Sequence, residues 1–221
     1  MRNILFIALF ALTVSFTDTG PYFTFTPSKQ QTARALTPED KDRLQRDIVF
    51  FREQIERKRN DPDNYYNLGL AALNLGILPT AKAAFEVVTS LKLEDSEAYY
   101  NLGVIHARQK NYDEAIQSFS RCIDLKPDHA DAHYNMAIAY QLSGKLVESV
   151  KTLAQATVLN PSIARYHYTR GVVEEKLGAY TEAVASYTNA VTADLNYVEA
   201  HYALGVVQAS QQRFQEARAS F

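Results

Sequence analysis

The sequence predicts an all-α repeat solenoid of helix-turn-helix units. A five-residue block returns every 34 residues: Tyr65-Tyr66-Asn67-Leu68-Gly69, Tyr99-Tyr100-Asn101-Leu102-Gly103, His133-Tyr134-Asn135-Met136-Ala137, His167-Tyr168-Thr169-Arg170-Gly171 and His201-Tyr202-Ala203-Leu204-Gly205. A second block keeps the same step. Ala81, Ala115, Ser149, Ala183 and Ala217 are each followed four residues later by Phe85, Phe119, Leu153, Tyr187 and Phe221. Turn residues separate the two blocks: Gly76, Gly144 and Gly178, with Lys110-Asn111 in the second copy, while Pro127 and Pro161 punctuate the ends of two copies. A pair of short helices cannot bury its apolar stripe alone, so stacked neighbours must share one continuous core.

Composition agrees with a folded chain and excludes several classes of function. Of 221 residues, 47% are hydrophobic and 22% charged, which excludes wholesale disorder. Lys and Arg number 23 against 25 Asp and Glu, a net charge of −2, so there is no basic footprint for nucleic acid. A single cysteine, Cys122, excludes an internal disulfide framework, a multi-cysteine metal site and an N-terminal lipoprotein anchor.

Residues 1–19 read as an address. Arg2 precedes an uncharged apolar run from Ile4 to Phe16, and the small residues Ser15, Thr17 and Thr19 lie at and just beyond its end without an Ala-x-Ala site. The run is too short for a membrane span of about 20 residues and suits a signal peptide, with an uncleaved N-terminal membrane anchor as the alternative. The expected location is outside the cytosol, in the periplasm or cell envelope or secreted. Residues 20–37, with Pro21 and Pro27 among threonines and glutamines, read as a linker.

Thr37-Pro38-Glu39-Asp40 opens a helix over 38–59: a capping threonine, a proline in the first turn and two acids at the positive end of the helix dipole. Phe51 lies 34 residues before Phe85, so this helix reads as a second helix without its first, capping the solenoid with its charges on a solvated outer face. The repeats follow over 62–221, as 62–95, 96–129, 130–163, 164–197 and a partial 198–221. Phe221 falls on the aromatic column in mid-helix, from which we expect the sequence to be part of a longer chain.

The repeated residues resemble the tetratricopeptide repeat, a 34-residue helix-turn-helix unit with an aromatic, Leu-Gly, a small residue, an aromatic and often a closing proline. This chain departs at Ala137 for the glycine, Ser149 for the alanine, Arg170 for the leucine, and Leu93 and Leu195 where proline is expected. The resemblance implies a right-handed superhelix whose first helices line a concave groove. It further implies that asparagines there hold the backbone of an extended peptide or partner protein. On that basis the candidate binding residues are Tyr66, Asn67, Tyr100, Asn101, Tyr134 and Asn135. A side-chain amide offers both a donor and an acceptor, so it can read peptide bonds without reading sequence. The competing reading is that the same residues are consensus helix packing with no ligand.

Other columns weigh against other chemistries. Asp63, Glu97, Asp131, Arg165 and Glu199 form a mostly acidic column, unfavourable to a clamp for a C-terminal carboxylate and mildly favourable to a neutral or basic ligand. His133, His167 and His201 recur at the repeat step, but helices about 10 Å apart cannot bring them to one metal with bonds of about 2 Å, so they read as packing aromatics. Arg170 sits in a leucine column with Glu174 one turn on, which predicts an internal ion pair. Cys122 falls among Val88, Ala156 and Ala190 and reads as an inert core thiol. No nucleophile, base and oxyanion donor come together, and no glycine cluster cradles a phosphate, so neither catalysis nor a cofactor is expected. The expected function is a protein-interaction adaptor. The alternatives are the substrate-docking arm of a larger enzyme, such as a glycosyltransferase, and a structural assembly factor of the cell envelope that uses its convex face.

Overall fold

The structure is a computed structural model and describes residues 36–221; the expected export segment 1–19 and most of the linker lie outside the described residues. Among the described residues there are eleven helices and no strand. They are α1 (Pro38–Arg57), α2 (Pro62–Asn74), α3 (Leu78–Leu91), α4 (Ser96–Arg108), α5 (Tyr112–Leu125), α6 (Ala130–Leu142), α7 (Leu146–Leu159), α8 (Ala164–Lys176), α9 (Tyr180–Ala193), α10 (Val198–Ser210) and α11 (Phe214–Ser220). Each helix packs on the next in chain order, and α4 also touches α6, so the chain forms an all-α solenoid rather than a globule.

Local chemistry sets the helix ends. Thr37 caps α1 through a reciprocal box: its hydroxyl accepts from Asp40 N at 3.1 Å while Asp40 Oδ2 accepts from Thr37 N at 3.1 Å. Asp61 and Asp95 cap α2 and α4, accepting from Asp63 N and Ala98 N. At the equivalent place before α6, His129 Nδ1 accepts from Ala132 N at 3.2 Å. The turn inside each helix pair needs one residue in the left-handed region. Gly76, Gly144 and Gly178 supply it with φ of 76°, 81° and 76°, whereas Lys110 and Gln212 hold the same conformation at 64° and 61°. In a non-glycine residue that region is strained, and the pairs of backbone bonds closing each turn hold it there. Asn111 N, for example, bonds to His106 O at 2.9 Å. Gln212 keeps the 34-residue step from Gly178 but carries no residue-type signal, which is why the sequence reading passed over it.

The core is a row of shared clusters along the solenoid. Leu44, Ile48, Phe51 and Ile55 of α1 pack with Leu68, Leu73, Phe85 and Val88. Phe119, Cys122, Tyr134, Ile138 and Leu153 belong to a central cluster, and Tyr187, Leu204 and Val207 to a third.

In four of the five pairs the aromatic of the second block packs against the glycine of the first helix. A Cβ added at Gly69, Gly103, Gly171 or Gly205 would approach Phe85, Phe119, Tyr187 or Phe221 to 2.9, 2.6, 2.7 and 2.7 Å. Against the buried rings of Phe85, Phe119 and Tyr187 no side-chain carbon fits at such distances, so glycine there is required by the ring and not by the turn. The third pair changes both partners together, with Ala137 in the glycine place and Leu153 in the aromatic place. Ser149, the other departure there, donates its hydroxyl to Ala137 O at 2.8 Å.

The capping helix departs from expectation on its outer side. Most of its charges are exposed, but so are Val49 and Phe50, at 57% and 52%.

Candidate functional site

The first helices carry the candidate groove residues, and burial divides them. Tyr66 is half-buried and Asn67 exposed, whereas Tyr100, Asn101, Tyr134 and Asn135 are buried. The four buried residues therefore do not line open surface.

Three of them, Tyr100, Tyr134 and Asn135, stitch one repeat to the next. Asn135 Nδ2 donates to the Tyr100 hydroxyl at 2.8 Å. One repeat later, Thr169 takes the asparagine place and its Oγ1 lies 3.3 Å from the Tyr134 hydroxyl. Asn101 Nδ2 donates instead to Glu97 O, 2.9 Å away within its own helix, and its buried Oδ1 has no hydrogen-bond partner. Tyrosine supplies the reach: its hydroxyl spans from one first helix to the next, where the shorter amide or hydroxyl meets it. A buried amide left unmet would cost about 1–3 kcal/mol, so the stitch sets the spacing of the repeats. Asn67 stands at the start of the column, where among the described residues no tyrosine precedes it and its amide makes no hydrogen bond to any of them.

The acidic column is largely engaged within the protein. Glu97 pairs with Lys126 at 3.4 Å and lies 3.6 Å from His129 Nε2. Asp131 accepts from Arg165 Nη2 at 2.7 Å and from the Tyr166 hydroxyl at 2.6 Å. The Arg165 guanidinium also covers the rings of Tyr134 and Tyr166, which stack with centroids 4.8 Å apart. Burial, with the neighbouring Asp131 carboxylate, pushes the Tyr166 hydroxyl above the usual tyrosine range. Asp63 is the exposed member of this column.

The three histidines hold loops. His133, His167 and His201 donate from Nε2 to Pro127 O, Pro161 O and Leu195 O at 3.0, 2.9 and 3.1 Å. Each clamps the loop six residues before it, which explains why imidazole can replace Tyr65 and Tyr99 at that position. Among the described residues no group of three or more histidines, cysteines or carboxylates is placed to hold a metal.

Arg170 forms the ion pair expected of it, with Nε 2.7 Å from Glu174 Oε1. Glu174 is buried and also accepts from Ser186 Oγ at 2.6 Å. The sequence reading missed this bond between the two helices of the pair, although Ser220 and Gln208 repeat it one step later at 2.8 Å. Cys122 is buried, and burial pushes its thiol up to about 12.

Comparison with known proteins gives this architecture its class. Family models match two segments, residues 96–129 as a tetratricopeptide repeat and residues 175–212 as a TPR repeat. Those two segments are tetratricopeptide repeats, and the fold they belong to is one that supports protein–protein interaction scaffolds. No curated protein matches the sequence.

Solved structures share the fold. MamA (residues 41 to the end) from Desulfovibrio magneticus RS-1 is 22% identical, with a TM-score of 0.65 over 72% of this chain and 93% of that one. YrrB, a TPR protein with an unusual peptide-binding site, is 20% identical, with a TM-score of 0.66 over 77% and 88%. PilF of Pseudomonas aeruginosa is 17% identical, with a TM-score of 0.64 over 72% of each chain. Among the described residues no helix is long and apolar enough to cross a membrane.

Proposed function

We propose that this chain is a non-enzymatic adaptor that binds a peptide segment of a partner protein at the open, N-terminal end of its asparagine-tyrosine column. The observation that carries the reading is the difference between Asn67 and the asparagines that follow it. Asn101 and Asn135 are buried between repeats, while Asn67 presents a free amide donor and acceptor beside the half-buried Tyr66. Exposed Asp63 one turn earlier favours a neutral or basic segment over an acidic one. The fold shared with YrrB supports peptide binding by a solenoid of this kind. The apolar run from Ile4 to Phe16 supports action outside the cytosol.

The test is a pair of single substitutions. Dodecapeptides selected from a random display library against the full chain serve as probes, measured by calorimetric titration. Asn67→Ala is expected to weaken binding by about 3- to 10-fold, the worth of one net hydrogen bond, and to leave the thermal melt in place. Asn101→Ala is expected to lower the melt. Binding that is indifferent to Asn67→Ala at every selected peptide removes the reading.

A further inference from the structure

The outer face of α1 is self-complementary, and we propose that it is a homodimer interface in which two copies of this helix pair antiparallel. One side of α1 is committed to the solenoid through Leu44, Ile48, Phe51 and Ile55. The opposite side carries Asp42, Arg46, Val49, Phe50, Glu53 and Arg57, all exposed. Helical spacing puts these six on one stripe, because residues three, four and seven apart share a face. Val49 and Phe50 border a shallow hollow of about 450 Å³ framed by Asp42, Gln45, Arg46 and Glu53.

The order of charges along this stripe identifies the occupant. Counted outward from the point between Val49 and Phe50, Arg46 and Glu53 lie equally far away, and so do Asp42 and Arg57. A two-fold axis at that point would lay Val49 on Phe50 of a second copy. It would also set Arg46 against Glu53, and Asp42 against Arg57, each pair occurring twice. The isologous geometry of such an axis demands this self-complementarity, and an unrelated partner would not require it. Off the stripe the pattern persists: Arg43 mirrors Glu56, Asp47 mirrors Arg52, Gln45 mirrors Gln54 and Leu44 mirrors Ile55; Lys41 and Lys58 form the like-charged exception.

A parallel pair would instead oppose Arg46 to Arg46 and Glu53 to Glu53, so charge selects the antiparallel arrangement. Twenty residues span about 30 Å, and one helix crossing of that length buries less than a standard protein interface. The dimer is accordingly a weak, reversible one. It would place two adaptors back to back and leave the first-helix column of each copy free.

The test is sedimentation equilibrium of the full chain in density-matched non-ionic detergent, which shields the apolar run at residues 4–16. Wild type is expected to show a concentration-dependent monomer–dimer equilibrium. Arg46→Glu and Glu53→Arg should each weaken it at least about tenfold, by opposing like charges twice at the centre of the interface. The double variant Arg46→Glu/Glu53→Arg should return the dissociation constant to within about threefold of wild type, because the exchanged pair is again complementary. Phe50→Asp should abolish the dimer. All three positions face solvent, so circular dichroism should be unchanged in every variant. A wild-type chain that stays monomeric, single reversals that leave association unaltered, or a double variant without rescue would each overturn the proposal.

Discussion

The Nδ2 of Asn135 donates to the hydroxyl of Tyr100 across 2.8 Å, joining residues 35 positions apart in a place that solvent does not reach. The bond turns a column that looks like a ligand-binding ladder into a fastening between the second and third repeats. It also explains why tyrosine, and not phenylalanine, occupies the position at the centre of the solenoid. Removing the hydroxyl with Tyr100→Phe takes away the acceptor without changing the shape of the ring. The expected loss is about 1–2 kcal/mol of stability, read as a lower midpoint in thermal or urea unfolding. Peptide affinity at the first repeat should be unaffected by the same change, since Asn67 does not belong to that bond.

Gly103 and Phe119 answer one another in the same way within a repeat. A methyl group at position 103 would come within 2.6 Å of a fully buried ring that has nowhere to move. Gly103→Ala is expected to cost about 1–3 kcal/mol by overpacking. Adding Phe119→Leu should recover part of that loss, because the third repeat already uses alanine with leucine at these two positions. If the second substitution only deepens the loss, the pairing is not what selects glycine.

Alkaline solution should expose the cost of the buried acids. Burial raises the Cys122 thiol from its ordinary 9.0 to about 12 and also raises the Tyr134 hydroxyl; burial beside Glu175 raises that of Tyr187. The unfolded chain releases these protons at lower pH than the folded one, so the fold binds more protons in that range. Stability is then fully present below pH 9 and falls as pH rises from there toward the folded value. Unfolding midpoints measured between pH 8 and 11 should decline, and Cys122 should resist a thiol reagent at pH 8 until the chain unfolds. Rapid labelling of the native protein would contradict the burial of the thiol.

Arg170 and the histidine column show how far a sequence can be read without neighbours. The ion pair to Glu174 was legible because both partners lie one turn apart on the same helix, and the geometry of a helix fixes that distance. The loop clamp by His133 was not legible. Its acceptor is a backbone carbonyl, Pro127 O, and no side-chain pattern marks a carbonyl.

By itself the sequence determined the repeat step, the helix pairs, the Thr37 cap of α1 and the glycine turns. These follow from short-range sterics and from apolar residues returning at a constant interval, both of which are written along the chain. It also determined the charge symmetry of α1, which is a property of order alone. The tertiary structure decided which members of a column are open. Asn67, Asn101 and Asn135 are the same residue at the same phase, yet the stack leaves the first exposed and buries the other two, and Asn135 there meets the tyrosine of the preceding first helix. Burial belongs to the stack and not to the residue, so identical letters in successive repeats can serve a partner in one and the fold in the next.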